Sequence, residues 1–335
     1  MDIKKNIILL GATGSIGESS LRLLRKNKEK FNLIGVSAHN NAELLSKIVN
    51  EFDVPNVVLS EPKNAKSYYG KNELYVGQSS LIELAKINCD IVISGIIGMS
   101  GLYPAFAAIS VGNNLAIANK ETLVSAGKIF MEKSHEKKVR ILPVDSEHSA
   151  IFQCLEKNNI ANVDFITLTA SGGPFLNMPI ENFKNIKPKD AIKHPVWKMG
   201  KKISVDSATM FNKALEIIEA SVLFNIKSDK IEVTVHPEHI IHGLVHYKDG
   251  SILANLGFPD MITPLSVALN WPKRIDLNLK KLSLKNIGNL NFFEPDFKKF
   301  PGLKLGWEVL DSSDYSPVVL NASNEIAVDP FLKNK

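Results

Sequence analysis

The segment Asn6-Ile7-Ile8-Leu9-Leu10-Gly11-Ala12-Thr13-Gly14-Ser15-Ile16-Gly17 decides the fold class. An apolar run of strand length enters a glycine-rich turn, and an amphipathic pattern from Ile16 to Arg25 leaves it. Glycines are needed where the backbone turns tightly and approaches a pyrophosphate, and the helix start that follows offers free N–H groups and a positive dipole end. The rhythm then repeats. Apolar runs at Leu33 to Ala38, Asn56 to Leu59, Ile91 to Ser94, Leu115 to Ala118 and Arg140 to Val144 alternate with helical patterns such as Glu43 to Phe52 and Glu121 to Lys137. Strands separated by helices make βαβ units, so residues 1–145 are expected as a Rossmann-like, doubly wound parallel sheet that binds a dinucleotide. At the end of the second strand, Val36-Ser37-Ala38-His39-Asn40-Asn41 has no carboxylate to bond a ribose 2′-hydroxyl. An uncharged, His-bearing loop accepts a 2′-phosphate, which favours NADP over NAD.

After Glu147 the pattern changes. A helix (Ser149 to Glu156), a strand (Phe165 to Ala170), a loop rich in Gly, Pro and Lys, and a long helix (Ser207 to Phe224) precede two strands, Leu244 to Tyr247 and Ile252 to Leu256. Those two strands flank Lys248-Asp249-Gly250-Ser251, a hairpin signal, so residues 146–272 are expected as an α+β domain with a mixed or antiparallel sheet. From Lys273 the chain is basic and irregular, with one helical pattern from Leu303 to Leu310.

A length of 335 residues fits two domains, and 44% hydrophobic with 22% charged residues excludes a disordered or fibrous chain. Lys273 to Lys304 holds eight basic and three acidic residues, which accounts for the whole net charge of +5. With no zinc-finger spacing or aromatic-interleaved motif beside it, this reads as a solvated face rather than a nucleic-acid surface. The two cysteines, Cys89 and Cys154, exclude a disulfide framework and suit a reducing compartment. The start, Met1 to Lys5, has no signal-peptide character. The charge-free stretch Ile91 to Asn119 is broken by Gly95, Gly98, Gly101, Pro104 and Gly112, so strand, helix and strand are expected there instead of a membrane span.

Three clusters carry chemistry. Asp145 and Glu147 end a strand two residues apart, and paired carboxylates attract a hard divalent cation; a helix start capped by Asp145 or Ser146 is the plainer alternative. Asn212, Lys213 and Glu216 share one helix face, and with Ser207 and the Ser171-Gly172-Gly173 turn they suit a phosphate. His194-Pro195-Val196-Trp197-Lys198-Met199-Gly200 reads as a lid, about residues 193–201, that excludes water. His236, His239, His242 and His246 fall in eleven residues but lack a zinc-protease spacing, and structural histidines are the stronger reading. No tyrosine has a lysine four positions on, which excludes short-chain dehydrogenases.

Taken together, GATGSIG (Gly11 to Gly17), ANKETLV (Ala118 to Val124), PVDSEHSAIFQ (Pro143 to Gln153), LTASGGPF (Leu168 to Phe175), HPVWKMG (His194 to Gly200), KISVDSATMFNKALEIIEA (Lys202 to Ala220) and LNASNEIAV (Leu320 to Val328) resemble the 1-deoxy-D-xylulose 5-phosphate reductoisomerase family. The resemblance implies an NADPH-dependent, Mg²⁺- or Mn²⁺-dependent enzyme that rearranges and reduces 1-deoxy-D-xylulose 5-phosphate to 2-C-methyl-D-erythritol 4-phosphate, in the methylerythritol phosphate route to isoprenoids. It implies metal ligation by Asp145, Glu147 and Glu216, and substrate contacts from Lys120, Ser146, Glu147, Ser171, His194, Trp197, Ser207, Asn212, Lys213 and Glu216. Lys120, Asp145, Glu147, Glu216 and His194 would be the catalytic group. Thr13, Gly14, Ser15, Ile16, Ala38, His39, Asn40, Asn119, Glu121 and Gly200 would line the NADPH site, although Ala38-His39 stands where family members often have Gly-Lys. The resemblance further implies a homodimer, in a bacterial cytoplasm or as a processed plastid protein, acting on a small phosphorylated sugar with neither nucleic acid nor membrane as partner. It also implies a further C-terminal helical domain, which makes residues 273–335 a linker and the start of a truncated region. Two alternatives stand beside it: a GATG-type semialdehyde dehydrogenase, which needs Cys89 or Cys154 as nucleophile, and a nucleotide-binding remnant without turnover.

Overall fold

The computed structural model describes residues 4–155, 160–193 and 200–333, which divide into two compact units. The first runs to Thr122 and resumes over Lys128–Asp145 and Met261–Leu279; the second takes Leu123–Gly127, Ser146–Asp260 and the chain from Lys280 onward.

In the first unit the elements are β1 (Lys5–Leu10), α1 (Ser15–Lys26), β2 (Phe31–Ala38), α2 (Ala42–Phe52), β3 (Asn56–Leu59), β4 (Leu74–Val76), α3 (Gly77–Lys86), β5 (Ile91–Ser94), α4 (Leu102–Ser110), β6 (Asn114–Ile117), α5 (Lys120–Lys137, except its Leu123–Gly127 stretch) and β7 (Ile141–Pro143). The sheet order is β4-β3-β2-β1-β5-β6-β7, with every neighbouring pair parallel. Ile7, Ile8, Leu9 and Leu10 are all fully buried, as expected of a strand covered on both faces. Helix α1 turns Gly17, Ser20, Leu21 and Leu24 inward, the spacing of one helical face. Strand order reverses between β1 and β5, and there Gly11 adopts φ +83 with room for no side chain: a Cβ would stand 2.8 Å from Gly95 O. The charge-free stretch folds as β5, α4 and β6, and no described helix is long and apolar enough to cross a membrane.

The second unit contains α6 (Ser146–Cys154), β8 (Val163–Ala170), α7 (Pro188–Ala191), α8 (Lys201–Ala208), α9 (Phe211–Phe224), β9 (Ile231–Val235), β10 (Ile241–Tyr247) and β11 (Ile252–Leu256). Its sheet, β11-β10-β8-β9, is mixed: β10 runs antiparallel to β8 and β11, whereas β8 and β9 are parallel. Ile151, Ile166, Leu168, Ile217, Ala220 and Val245 form the centre of its core. The expected single helix from Ser207 to Phe224 is two helices. Buried Met210, left-handed at φ 57, separates α8 from α9, and a break made by tertiary burial leaves the apolar periodicity intact.

Two domain expectations are corrected. Helix α10 (Ile262–Asn270) belongs to the first unit, where it packs on α1 with Ile262, Leu265 and Leu269 fully buried and Leu269 O accepting from Lys5 Nζ at 2.9 Å. Residues 146–272 are therefore not one unit, because the apolar face of α10 finds its partner in the first. Nor is the chain from 273 only a linker leading into a helical region. Beyond α11 (Leu284–Ile287), it supplies α12 (Leu305–Leu310) and α13 (Ser316–Leu332), and Phe300, Leu303 and Val328 are buried in the core of the second unit. Trp307 Nε1 donates to Ile231 O at 2.8 Å, which ties α12 to β9.

Candidate active site

The nucleotide end is built at the carboxyl edge of the first unit's sheet. Gly14 caps α1 without any side-chain hydrogen bond, so the N–H groups of the first turn are left for an external acceptor. Gly17 lets the helix close onto the turn, since a Cβ there would lie 2.3 Å from Ala12 O. Gly11 N donates to Ser37 Oγ at 3.1 Å and Ala12 N to Ser37 O at 2.7 Å, which brings Thr13, Gly14, Ser15 and Ile16 alongside the β2 end that carries Ala38, His39 and Asn40. His39 Nδ1 bonds Ser60 Oγ at 2.9 Å, and Asn40 O accepts from Asn64 Nδ2 at 3.0 Å. Asn119 caps α5 by accepting from Thr122 N and donates to Ile96 O and Gly98 O, so its amide braces the turn after β5. Next to it on α5 stand Lys120, ion-paired to Asp145, and buried Glu121.

Glu147, Glu216, Asn212 and Lys213 meet in the second unit. Ser146 and Glu147 do not extend a strand: β7 stops at Pro143 and both lie in the first turn of α6, which corrects the strand-end geometry. Ser146 Oγ donates to Glu147 Oε2 at 2.5 Å. From α9, Lys213 Nζ donates to Glu147 Oε1 at 3.0 Å and to Glu216 Oε2, while Asn212 Nδ2 donates to Glu216 Oε1 at 2.5 Å. Glu147 and Glu216 offer carboxylate oxygens within 4.8 Å of each other, and both side chains are buried. Burial alone would push the Lys213 ammonium down, but the Glu147 and Glu216 carboxylates outweigh it and hold the group above its ordinary value. Asn212 Oδ1 is buried and accepts no hydrogen bond within the described residues. Ser171 follows β8 and accepts from Gly173 N at 3.3 Å; Ser207 sits in the last turn of α8, and Gly200 caps the start of that helix. His194 and Trp197 lie outside the described residues, as does most of the expected lid.

Behind Glu216 is a group that the motif reading passed over. His148 Nε2 bonds Glu216 O at 2.9 Å, and its Nδ1 stands 3.7 Å from Glu219 Oε2, with both side chains buried. The signal was a histidine directly after Glu147 in the chain, obscured because its partner lies 71 positions away. The four clustered histidines do separate jobs, and His239 packs edge-on against the His242 ring with centroids 5.2 Å apart. His236 accepts from Ile240 N and bonds Asn291 O, His242 bonds Gly257 O, and His246 stacks on Phe165 at 3.9 Å while bonding Thr167. Neither cysteine is presented as a nucleophile. Burial, with Asp90 adding to it, pushes the Cys89 thiol up to about 12, and Cys154 is buried on α6.

Comparison with known proteins agrees over nearly the whole chain. The family model for 1-deoxy-D-xylulose 5-phosphate reductoisomerase matches residues 7–127, and two models of its C-terminal domains match residues 141–224 and 256–335. The reductoisomerase of Clostridium novyi (strain NT) is 45% identical over 338 residues, covering 98% of this chain and 88% of the relative. The chain belongs to the 1-deoxy-D-xylulose 5-phosphate reductoisomerase family. The reductoisomerase of Clostridium tetani (strain Massachusetts / E88) is 46% identical over 341 residues, covering 99% of this chain and 88% of the relative. Among solved reductoisomerases, that of Zymomonas mobilis in complex with NADPH superposes with a TM-score of 0.93 at 40% identity, covering 99% of this chain and 88% of the other. A reductoisomerase in complex with NADPH, fosmidomycin and magnesium superposes with a TM-score of 0.94 at 38% identity, covering 98% and 85%. Membership of the reductoisomerase family, with Cys89 held as a thiol, leaves the semialdehyde dehydrogenase alternative without support.

Proposed function

We propose that this reductoisomerase converts 1-deoxy-D-xylulose 5-phosphate to 2-C-methyl-D-erythritol 4-phosphate with NADPH and Mg²⁺ or Mn²⁺, and that its residues divide the work as follows. The observation that carries the reading is the buried Glu147–Lys213–Glu216 arrangement, flanked by Asn212 and by Ser146. Hard oxygen donors at this spacing suit Mg²⁺ or Mn²⁺, and Asp145, one residue before Ser146 in the chain, completes the expected ligand set. A divalent cation held there supplies Lewis-acid polarisation of the substrate's carbonyl and neighbouring hydroxyl oxygens.

The remaining roles fall to the chain itself. Ser171, Ser207, Asn212 and Lys213 grip the phosphate, a remote anchor whose binding energy holds both fragments of the rearranging skeleton in place. Lys120 and Ser146 contact the sugar-derived backbone, and His194 and Trp197 exclude water. The uncapped start of α1 takes the NADPH pyrophosphate, with Thr13, Gly14, Ser15 and Ile16 around it. Asn40, Asn119, Glu121 and Gly200 line the rest of that site, and His39 with Ser60 stands where the 2′-phosphate is expected.

The enzyme is read as a cytoplasmic homodimer. Cys89 and Cys154 form no disulfide among the described residues, which suits a reducing compartment, and β11, at the edge of its sheet, exposes Ile252, Leu253 and Leu256 for pairing with a second copy. The deciding assay follows NADPH absorbance with 1-deoxy-D-xylulose 5-phosphate and Mn²⁺. Substrate-dependent oxidation that EDTA abolishes is the expected result. NADPH binding without turnover would favour the remnant reading instead.

A further inference from the structure

The phosphate residues sit on a turn and two helices, and the placement of α8 decides whether they converge. Gly173, left-handed at φ +67, packs against the end of α8: a Cβ there would stand 2.8 Å from Ser207 O and 3.2 Å from Ala208 Cα. The Ser171 turn and α8 thus close on each other with no intervening side chain, so a shift of α8 moves Ser207 relative to Ser171. Val205 and Ala208 hold α8 against the core, but apolar contacts are non-directional and set no precise rotation.

Direction comes from Asp206, 1% exposed. Its Oδ2 pairs with Lys202 Nζ at 2.8 Å, one turn back on α8, and its Oδ1 accepts from Asn324 Nδ2 at 2.9 Å. Asn324 is buried on α13, 118 positions along the chain. A carboxylate withdrawn from water must keep its hydrogen bonds, so this one fixes α8 to α13 at a single geometry. We propose that Asp206 and Asn324 are positioning residues whose hydrogen bond sets the rotation of α8 and thereby the spacing of the Ser171 and Ser207 hydroxyls that hold the substrate phosphate. The inference rests on the phosphate assignment above, and gives the far end of the chain a direct effect on substrate affinity.

The test uses the full chain with Asn324→Leu, Ser207→Ala and the exchange Asp206→Asn/Asn324→Asp, which restores the bond with donor and acceptor reversed. Readouts are KM for 1-deoxy-D-xylulose 5-phosphate, kcat, NADPH Kd by fluorescence, and Tm. Asn324→Leu is expected to raise KM about tenfold with NADPH Kd unchanged, and the exchange to return KM to within about threefold of the parent. A lowered Tm with unchanged KM in Asn324→Leu, or an exchange that recovers Tm and not KM, would overturn the proposal. If Asn324→Leu does not fold, Asn324→Ser is judged by the same criterion. Ser207→Ala separates the two levels. An unchanged KM there removes the phosphate assignment and the inference with it, whereas a raised KM beside an unaffected Asn324→Leu removes the positioning role alone.

Discussion

Lys213 is the residue on which the second unit's chemistry turns. Its single positive charge pairs with both Glu147 and Glu216 from a buried position, and removing it leaves two carboxylates with no cation between them. Lys213→Ala is expected to raise KM for the substrate and lower kcat together, since a remote anchor also positions the transition state; an effect confined to NADPH affinity would contradict that. Glu216→Gln should keep NADPH Kd within about twofold while lowering kcat by about a hundredfold or more and weakening Mn²⁺ binding, read by electron paramagnetic resonance. His242 gives a pH signature. Burial pushes its imidazole below the ordinary 6.5 and outweighs the Glu147 carboxylate, with His236 and Lys213 pushing the same way as burial. Below pH 6.5 the unfolded chain binds a proton that the folded chain refuses, so stability falls as pH drops from 6.5 toward the depressed folded value. His242→Asn should flatten that slope in urea titrations at a series of pH values; an unchanged slope would assign it to other groups, His246 among them.

Among the elements, the β1–α1 turn is the clearest case of local sequence and tertiary need agreeing. Gly11 requires a left-handed φ and a close approach to Gly95 at once, so Gly11→Ala should cost about 1–3 kcal/mol and weaken NADPH binding, as denaturant titration and fluorescence would report. The strands of this sheet were legible because burial on both faces leaves continuous apolar runs. β4 was not, since Leu74-Tyr75-Val76 is short and largely exposed. The α8–α9 break was hidden for a different reason: Met210 is apolar and in phase with the helix on either side, and its left-handed backbone is a product of packing.

For the molecule as a whole, the two units are stitched by chain that crosses from one to the other more than once, with α10 returning to the first and the residues from Lys280 returning to the second. Leu303, fully buried in the second unit's core, should cost about 2–5 kcal/mol on truncation to alanine, far more than a linker residue would; a change within about half a kcal/mol in a denaturant melt would refute its core placement. At the exposed edge of that unit's sheet, Leu253→Asp should convert the proposed dimer to a monomer in sedimentation, because a charge on an edge strand opposes pairing; a wild-type chain that sediments as a monomer would refute the proposed dimer.

The sequence by itself determined the doubly wound sheet, the glycine turn and the family, because strand runs, helix faces and turn glycines are local patterns written within a dozen residues. It also placed Asn212, Lys213 and Glu216 together, since a helix repeats its face every three to four residues. Tertiary structure alone decided that Lys213 reaches Glu147, that His148 backs Glu216 against Glu219, that α10 rejoins the first unit, and that Asp206 meets Asn324. Each of these pairs residues far apart in the chain, or returns chain to a distant partner, and no local periodicity encodes which distant group a buried polar or apolar side chain will meet.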